Sequence, residues 1–425
     1  MNDVGDAPRG GPGTENAAGT PRLKRVLTLP LLTMYGVGTT VGAGIYVLTG
    51  KVIDTAGAFA PLSFLAAACL AGLSAASFAE LGARMPRSAG EALYVRGGLR
   101  MPRLSVVVGL LVALAGVISS AVLTKGFTGY VGLVLDWPTP IFTALLLAGL
   151  VLLAIWGIRE AVMVAAVITV LEVAGLVLVV WVARDGLTET GAWIEIILRD
   201  TQRPSWGALA SGAVLAFFAF IGFEDMVNVA EEVRDVRRTM PRAIMLTLLI
   251  TAFLYFAVSL VVLLSAYGAD LGQSDAPLAD IYARATGGSP LPIVFVGTLA
   301  IVNGALIQII MGSRVLYGLA AQGQIFSVFA TLHRSRQTPV VATLVVGGLV
   351  GLLALFFPLE GLARATSVII LSVFTLVNFS LVALKWRGTV SDDSHFRVPV
   401  WVPVAGGCAS AGLVVYQLGA FVFGP

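Results

Sequence analysis

The sequence predicts an all-α integral membrane protein with about eleven transmembrane helices, two of which are broken near the middle of the bilayer. Hydrophobic residues make up 57% of the 425 residues and charged residues only 12%, a composition too apolar for a soluble protein of this length. Apolar runs of about 20 residues, the length needed to cross a bilayer, recur along the chain. Glycines interrupt the first of these runs, and carboxylates interrupt the sixth.

The apolar runs are the candidate spans, numbered 1 to 11 in chain order. They cover roughly residues 26–49, 59–82, 104–134, 140–158, 161–183, 207–233, 241–266, 291–321, 339–357, 361–384 and 399–423. Spans 3 and 8 are both about 30 residues long, and a span of that length must tilt in the membrane. Between spans 2 and 3, residues 86–102 are expected to lie on the inner membrane surface, with Tyr94 and several arginines among the lipid head groups.

The positions of the breaks and of the long spans suggest a repeated architecture. Broken spans at matching places in two halves are typical of inverted-repeat transporters, in which the substrate site lies at the breaks. We therefore expect residues 22–183 and 184–390 to form two five-helix repeats, and residues 391–425 to add one extra C-terminal helix. Residues 1–21 are rich in glycine, proline and threonine and are expected to form a disordered cytoplasmic tail.

The distribution of basic residues predicts the orientation. If the N-terminus is cytoplasmic, most of the lysines and arginines outside the spans fall on the inner side, as the positive-inside rule requires. A cleavable signal sequence before the first span is not expected, and the cell (plasma) membrane is the expected location. Because the basic residues do not form a continuous stripe, nucleic acid is not an expected partner.

The break in span 1 is a candidate substrate site. If the helix unwinds over residues 41–44, the resumed half-helix exposes N–H groups at the positive end of its dipole, which is a good receptor for a carboxylate. Glycine permits a ligand to approach the backbone closely. The alternative is that these glycines only let helices touch. The candidate binding residues here are Thr40, Val41, Gly42, Ala43, Gly44 and Ile45.

The break in span 6 supplies the other side of the candidate site. Its candidate binding residues are Phe218, Phe220, Ile221, Gly222 and Glu224. Neighbouring residues on a helix diverge by about 100°, so Glu224 and Asp225 are not expected to face one cavity. We expect one of them to meet the substrate path or the other half of the bundle, and the other to cap the resumed helix. Phe218, Phe220 and the neighbouring Phe217 are alternatively lipid-facing or core residues.

Two further sets of charged residues fall within apolar spans. Glu172 lies near the middle of span 5, where a bare carboxylate is costly and should be protonated, paired or in contact with water. Arg314 in span 8 is expected to pair with a carboxylate such as Glu80 or Glu231 at a cytoplasmic gate. No metal site is expected.

Four motifs, in order along the chain, carry a family resemblance. Gly42-Ala43-Gly44-Ile45-Tyr46 resembles a glycine-rich element of the amino-acid permeases of the amino acid–polyamine–organocation (APC) superfamily. The other matching segments are Glu80-Leu81 with residues 86–91, residues 217–244, and residues 313–317. The resemblance implies a leucine-transporter-like fold and alternating access between the two sides of the membrane.

The resemblance also implies roles for individual residues. The α-carboxylate of an amino acid would bind main-chain amides around Gly42, Ala43 and Gly44, and its amine would lie near carbonyl groups around Phe220 and Ile221. Phe218 would act as a gate that closes over the ligand. Some relatives carry a lysine where this sequence has Glu172. This departure favours a proton as the coupling ion over sodium, with Glu172 as its carrier, although a buried acid satisfied by its neighbours is an equal alternative.

The function expected from the sequence is a secondary active transporter that imports an amino acid, neutral and fairly apolar, together with a proton. An uncoupled exchanger or facilitator for amino acids or amines remains an alternative, as does a passive pore or membrane sensor. A membrane-embedded enzyme has little support, because no Gly-x-Ser-x-Gly, His-Glu-x-x-His or Walker-type loop occurs. The expected partners are the small substrate and the lipid bilayer, with no cofactor besides the coupling proton.

Overall fold

The computed structural model describes residues 27–86, 90–156, 161–200, 206–265, 274, 276–333, 338–388 and 396–423. Within these ranges the chain forms α-helices, which we number α1 to α15 in chain order: Leu29–Val41, Ala43–Ala56, Ala60–Arg84, Gly90–Leu99, Pro102–Gly132, Thr139–Trp156, Ala161–Val182, Thr190–Asp200, Trp206–Phe217, Val236–Ser265, Pro277–Thr286, Leu291–Ala321, Val340–Phe356, Leu359–Trp386 and Trp401–Phe423. The predicted cytoplasmic tail, residues 1–21, lies outside the described residues.

Most of these helices are suited to cross a membrane. In the described part of the chain, eight helical stretches are long and apolar enough to do so, and three shorter helices are also apolar. Large apolar side chains such as Trp156, Leu249 and Phe253 are more than 60% exposed on the outside of the bundle, as expected for side chains that face lipid. The prediction of an all-α membrane protein is confirmed, whereas the count of eleven spans and the inverted repeat remain predictions.

The first apolar segment is broken at a single residue. Helix α1 ends at Val41 and α2 begins at Ala43. Between them, Gly42 has φ −35° and ψ −161°, which is far from helical geometry. Since no side chain caps the start of α2, the first N–H groups of this helix lack partners within it. The predicted break over residues 41–44 is confirmed.

The second break is longer. Helix α9 ends at Phe217 and is followed by a 3₁₀ turn over Phe218–Phe220. Ile221 is then extended, and Gly222 has φ +127°, a conformation that only glycine adopts readily. The chain resumes as the 3₁₀ helix Phe223–Glu232. The predicted interruption over residues 220–224 is therefore also present.

The two breaks interlock through their backbones. A Cβ atom added at Gly222 would lie 2.2 Å from the carbonyl oxygen of Thr39, and the Thr39 hydroxyl lies 3.0 Å from the carbonyl oxygen of Gly222. The hydroxyl of Tyr255 in α10 lies 2.7 Å from the Thr40 oxygen and 2.9 Å from the Ala219 oxygen. Tyr255 therefore ties both breaks to a third, unbroken helix.

A second tie joins the two broken segments at their other ends. Leu27, just before α1, forms a parallel bridge with Val233, just after the resumed 3₁₀ helix. The Arg234 N–H group donates a hydrogen bond of 2.9 Å to the Leu27 carbonyl oxygen. The first and sixth apolar segments are thus held together at both the breaks and the termini.

One face of helix α4 is buried, including Tyr94, which corrects the prediction that Tyr94 lies among the lipid head groups. Tyr94 has no exposed area and its ring packs edge-on against Phe78, with ring centroids 6.1 Å apart. The helix lies against α14 and α5. Its glycines permit this packing, since a Cβ atom added at Gly98 would lie 2.4 Å from the Cβ atom of Ser380 in α14. The arginines of this segment had suggested a surface position. Gly90 and Gly98 instead let one face of the helix pack closely against its neighbours.

Replacing Tyr255 by phenylalanine tests the tie between the breaks. The change leaves the buried carbonyl oxygens of Thr40 and Ala219 without their shared donor, and the expected loss of stability is about 1–3 kcal/mol. Thermal unfolding of the purified protein in detergent should show a lower midpoint for Tyr255→Phe. The control Tyr317→Phe, at a partly exposed position in α12, should unfold like wild type. Equal midpoints for all three proteins would contradict the proposed tie.

Candidate functional site

The candidate site is a small cavity beside the two breaks, which we call the central chamber. Its volume is about 30 Å³ in this conformation. The two breaks supply one side, and α5 and α12 supply the other. Its lining residues are Thr39, Thr40, Gly42, Gly44, Ser119, Leu123, Phe218, Ile221, Gly304, Ile307 and Gln308. The structure thus places Thr40, Gly42, Gly44, Phe218 and Ile221 of the predicted site around one cavity.

The start of α2 gives the central chamber a positive end. Gly42 caps this helix without a side chain, and unpartnered N–H groups at a helix start attract anions. A Cβ atom added at Gly42 would come no closer than 3.6 Å to any atom outside its chain neighbours, the nearest being the Gly38 carbonyl oxygen. The space above Gly42 is therefore open to the chamber, and a carboxylate can approach the backbone there.

Gly44 serves a different purpose from Gly42. A Cβ atom added at Gly44 would lie only 2.8 Å from the Cα atom of Ala219 in the second break. Both interpretations of the Gly42-Ala43-Gly44 element therefore apply, each to one glycine. Gly44 lets the two breaks pack against each other, as the packing interpretation expects, whereas Gly42 leaves its backbone open to the cavity, as the ligand interpretation expects.

The remaining candidates around the breaks lie in the core. The side chains of Val41, Ile45 and Phe220 have no exposed area, and the Phe220 ring packs edge-on against Tyr255 at 4.9 Å. Only main-chain atoms at these three positions can contribute to the chamber. Phe218 does line it and is 4% exposed. The side chain of Ala43 is not among those the structure describes.

A second cavity, which we call the inner chamber, adjoins the central one. Its volume is about 10 Å³ in this conformation, and it shares Ile221 and Gln308 with the central chamber. Its lining includes the three carboxylates of Glu91, Glu224 and Asp225. The other lining residues are mostly apolar: Val112, Ala115, Gly116, Met311, Ile370, Val373 and Phe374. Among the described residues that line it, no lysine, arginine or histidine balances the three acids.

The prediction that Glu224 and Asp225 cannot face the same cavity is wrong. That prediction assumed regular helical geometry, but the two residues directly follow the turn at Gly222. Glu224 folds back so that its Oε2 atom accepts a hydrogen bond of 2.8 Å from the Gly222 N–H group, just before the resumed helix begins. Asp225 is 5% exposed, and its Oδ2 atom has no partner among the described residues.

Glu91 is a candidate site residue that sequence reasoning missed. Because residues 86–102 were expected on the membrane surface, the carboxylate in that segment received no role. Glu91 lies in α4, outside the membrane-spanning helices, and is 5% exposed. Burial raises the pKa of its carboxyl group to about 7, so that it is partly protonated at neutral pH. The available signal was Gly90 beside it, which favours close packing over surface exposure.

Glu172, the candidate coupling residue, lies outside both chambers. It is in α7, it has no exposed area, and neither carboxyl oxygen has a hydrogen-bond partner among the described residues. The side chain of Asn303 lies beside the carboxyl group without forming a regular hydrogen bond to it. The hydroxyl of Tyr46 in α2 donates a hydrogen bond of 2.6 Å to the main-chain oxygen of Glu172. The main chain at Glu172 is thus connected to α2, the second half of the first broken segment.

The predicted pairing of Arg314 with Glu80 is wrong. Both Glu80 oxygens lie 2.8 Å from Nζ of Lys385 in α14, and Glu80 also pairs with Arg84 and accepts a hydrogen bond from the Val398 N–H group. Lys385 reaches Glu80 because α14 packs beside α3. Arg314 is exposed and forms no ion pair within the described part of the chain. The side chain of Glu231 is outside the description.

Comparison with known proteins now places the chain in a family. A family model for amino acid permeases matches residues 27–425. The chain belongs to the amino acid permease family. The resemblance drawn from the four motifs is confirmed, and with it the expectation of a multi-pass membrane protein.

Individual permeases show moderate similarity. The chain is 30% identical to cationic amino acid transporter 4 of Mus musculus over 394 residues, which is 86% of this chain and 60% of that protein. It is 30% identical to the vacuolar cationic amino acid transporter 2 of Arabidopsis thaliana over 388 residues, with the same two shares. It is 25% identical to the branched-chain amino acid permease BcaP of Bacillus subtilis over 390 residues, which is 87% of this chain and 82% of that permease. The chain thus spans about 60% of the length of the cationic amino acid transporters it matches.

Alanine substitutions should separate the glycines that pack from the one that faces the cavity. Gly222→Ala and Gly44→Ala each force a methyl group against backbone atoms of the other break, and overpacking of this kind costs about 1–3 kcal/mol. Gly42→Ala meets no such obstacle. Thermal unfolding should show lower midpoints for the first two variants and an unchanged midpoint for Gly42→Ala. A Gly42→Ala protein as unstable as Gly222→Ala would refute the open space above Gly42.

Proposed function

We propose that this chain is a secondary active transporter that imports an amino acid together with a proton by alternating access. In this proposal it acts in the cell membrane with its N-terminus in the cytoplasm, as the basic residues predict. The observation that carries the proposal is the open helix start at Gly42, which lines the central chamber beside two interlocked breaks. This arrangement is the one in which secondary transporters bind substrates with anionic groups.

Both ends of an amino-acid backbone find complementary groups in the proposal. The α-carboxylate would accept hydrogen bonds from the N–H groups at Gly42, Ala43 and Gly44, at the positive end of α2. The α-ammonium group would donate to main-chain oxygens of the second break. The oxygens of Phe220 and Ile221 suit this role, because neither accepts a hydrogen bond among those described. Phe218 would shield the bound backbone from water.

The walls of the two chambers favour two groups of side chains. Leu123, Phe218 and Ile307 line the central chamber and suit the neutral, fairly apolar side chain expected from the sequence, provided that it is short. The acids of the inner chamber favour a second candidate, a longer side chain with a positive end. The names of the relatives include both kinds of substrate, since they describe cationic amino acid transporters and a branched-chain amino acid permease.

Glu172 is the proposed carrier of the coupling proton. A buried carboxyl group without hydrogen-bond partners is far more stable neutral than ionised. It would release its proton only when water or a donor reaches it. Because Tyr46 ties α2 to the backbone of Glu172, a movement of the first broken segment would change the surroundings of this carboxyl group. Such a link is what coupling of proton release to the transport cycle requires.

Counterflow in proteoliposomes tests the transport proposal. Vesicles preloaded with an unlabelled amino acid such as L-alanine or L-leucine should accumulate the labelled form transiently, because a carrier is accelerated by substrate on the opposite side and a pore is not. The Gly42→Ala variant should remain folded and lose this uptake at least about tenfold, since the added methyl group occupies the carboxylate position. Uptake without trans-stimulation would favour a pore, and full activity of Gly42→Ala would exclude the proposed carboxylate site.

Glu172→Gln tests the coupling. The variant keeps the shape of the side chain but cannot release a proton, so uptake should lose its response to an imposed pH gradient while counterflow persists. Glu189→Gln, at an exposed loop position, serves as the control and should respond like wild type. Initial rates measured with and without an inwardly directed proton gradient give the comparison. If Glu172→Gln keeps the full gradient response, Glu172 does not carry the proton; if wild type shows no response, the uncoupled exchanger is correct.

A further inference from the structure

Four exposed arginines come together at one end of the bundle, and we call them the arginine patch. They belong to α4, to the link between α4 and α5, to the start of α5 and to the position after α14: Arg96, Arg100, Arg103 and Arg387. The Arg387 Nη1 atom donates a hydrogen bond of 2.5 Å to the Gly98 carbonyl oxygen, which fixes the end of α14 against the end of α4. The Arg100 N–H group donates to the Arg96 carbonyl oxygen at 3.2 Å, so that these two residues are one helical turn apart. The four residues therefore share one region of the surface.

The protein balances the buried cations of this region but not the arginine patch. Lys385, two residues before the end of the patch, and Arg84 both pair with the buried carboxylate of Glu80. Glu91, the acid of α4, lines the inner chamber instead. Among the described residues, none of the four patch arginines forms an ion pair with a carboxylate. The described part of this region therefore presents net positive charge at the surface.

Exposed tryptophans place the arginine patch at a boundary between membrane and water. Trp386 directly precedes Arg387 and is 77% exposed, and Trp401 at the start of α15 is 64% exposed. The Lys385 Nζ atom donates a hydrogen bond of 2.6 Å to the Val398 carbonyl oxygen, so that the end of α14 and the chain leading into α15 lie side by side. Tryptophan is enriched where lipid head groups meet the hydrocarbon. This arrangement puts the patch at the level of the head groups.

An apolar stripe begins directly at the patch and runs along α5. Arg103, Val107, Leu110 and Leu114 are spaced by four, three and four residues, which places them on one face of the helix. The three apolar side chains are all exposed. At the helical rise, the stripe extends about 16 Å away from the patch, and half of a bilayer's hydrocarbon core is about 15 Å thick. The surface therefore has a basic head followed by an apolar stem the length of one leaflet.

We infer that the arginine patch binds the phosphate of an anionic phospholipid whose acyl chain lies along the stripe on α5. A guanidinium group is a planar fork that matches the oxygens of a phosphate. Because the patch is positively charged, a head group with net negative charge binds more favourably than a zwitterionic head group, which brings its own cation. The bound head group connects α4 and α5 to the end of α14 through Arg100, Arg103 and Arg387. The inference concerns the lipid-facing surface and holds for any transported substrate.

Two lipids with the same acyl chains and different head-group charge test the inference. The purified protein in a neutral detergent is titrated with dioleoyl phosphatidylglycerol or with dioleoyl phosphatidylcholine, and thermal unfolding is measured. Phosphatidylglycerol should raise the midpoint of wild type more than phosphatidylcholine does, because a ligand of the folded state stabilises it. In Arg100→Gln/Arg103→Gln, the phosphatidylglycerol concentration that gives half of the effect should rise about 30-fold, since each basic residue at an anionic lipid surface contributes a factor of about five. The matched control Arg242→Gln/Arg314→Gln removes two exposed arginines from α10 and α12 and should respond like wild type.

Three results would overturn the inference. Equal midpoints of wild type with the two lipids would mean that the patch does not select for negative charge. An equal loss of response in the control variant would assign the effect to the total charge of the protein. If inorganic phosphate at the same concentration stabilises wild type as much as phosphatidylglycerol does, then the patch is a site for a free anion and the stripe on α5 has no part in it.

Two further provisions keep the test independent of folding and of transport. The single variants Arg100→Gln and Arg103→Gln, each expected to weaken the response about fivefold, carry the comparison if the double variant does not fold. Absence of counterflow would contradict the proposed transport, but it would leave these stability measurements unaffected.

Discussion

The contact between the backbones at Thr39 and Gly222 determines the rest of the site. Two helices that stop inside a membrane leave main-chain groups without partners, and this is tolerable only where protein or a cavity covers them. Here each break covers part of the other, because Gly222 has no side chain to keep Thr39 away. Tyr255 satisfies one carbonyl group from each break. The groups that remain, above all the N–H groups at the start of α2, face the central chamber.

The two chambers present different groups to a ligand. The N–H groups at the start of α2 line the central chamber and favour negative charge through the dipole of this helix, whereas the carboxyl groups of Glu91, Glu224 and Asp225 line the inner chamber. Ile221 touches both chambers. These groups come from a helix start, from α4 and from the second break, so that no single element defines the site.

Sequence reasoning located the features that depend on residues close together in the chain. Glycines and carboxylates inside apolar runs identified both breaks, and the position of Glu172 in an apolar span identified a carboxyl group that needs protonation, a partner or water. It failed where the cause is a contact between distant segments. Glu80 is paired with Lys385, more than 300 residues further along the chain, and no periodicity within either helix indicates that α3 and α14 meet. The positions of Glu91 and Asp225 depend likewise on how α4 packs and on the turn at Gly222.

The separation of Glu172 from the inner chamber has a consequence for the mechanism proposed above. Glu172 lines neither chamber and contacts the first broken segment through Tyr46, whereas Asp225 lines the inner chamber itself. In the proposed mechanism, a ligand group in that chamber would therefore not displace the proton by direct contact. The two sites would influence each other through the position of the broken segments, which the Thr39–Gly222 contact joins. Cotransport in one direction would then require that proton and substrate favour the same placement of the broken segments.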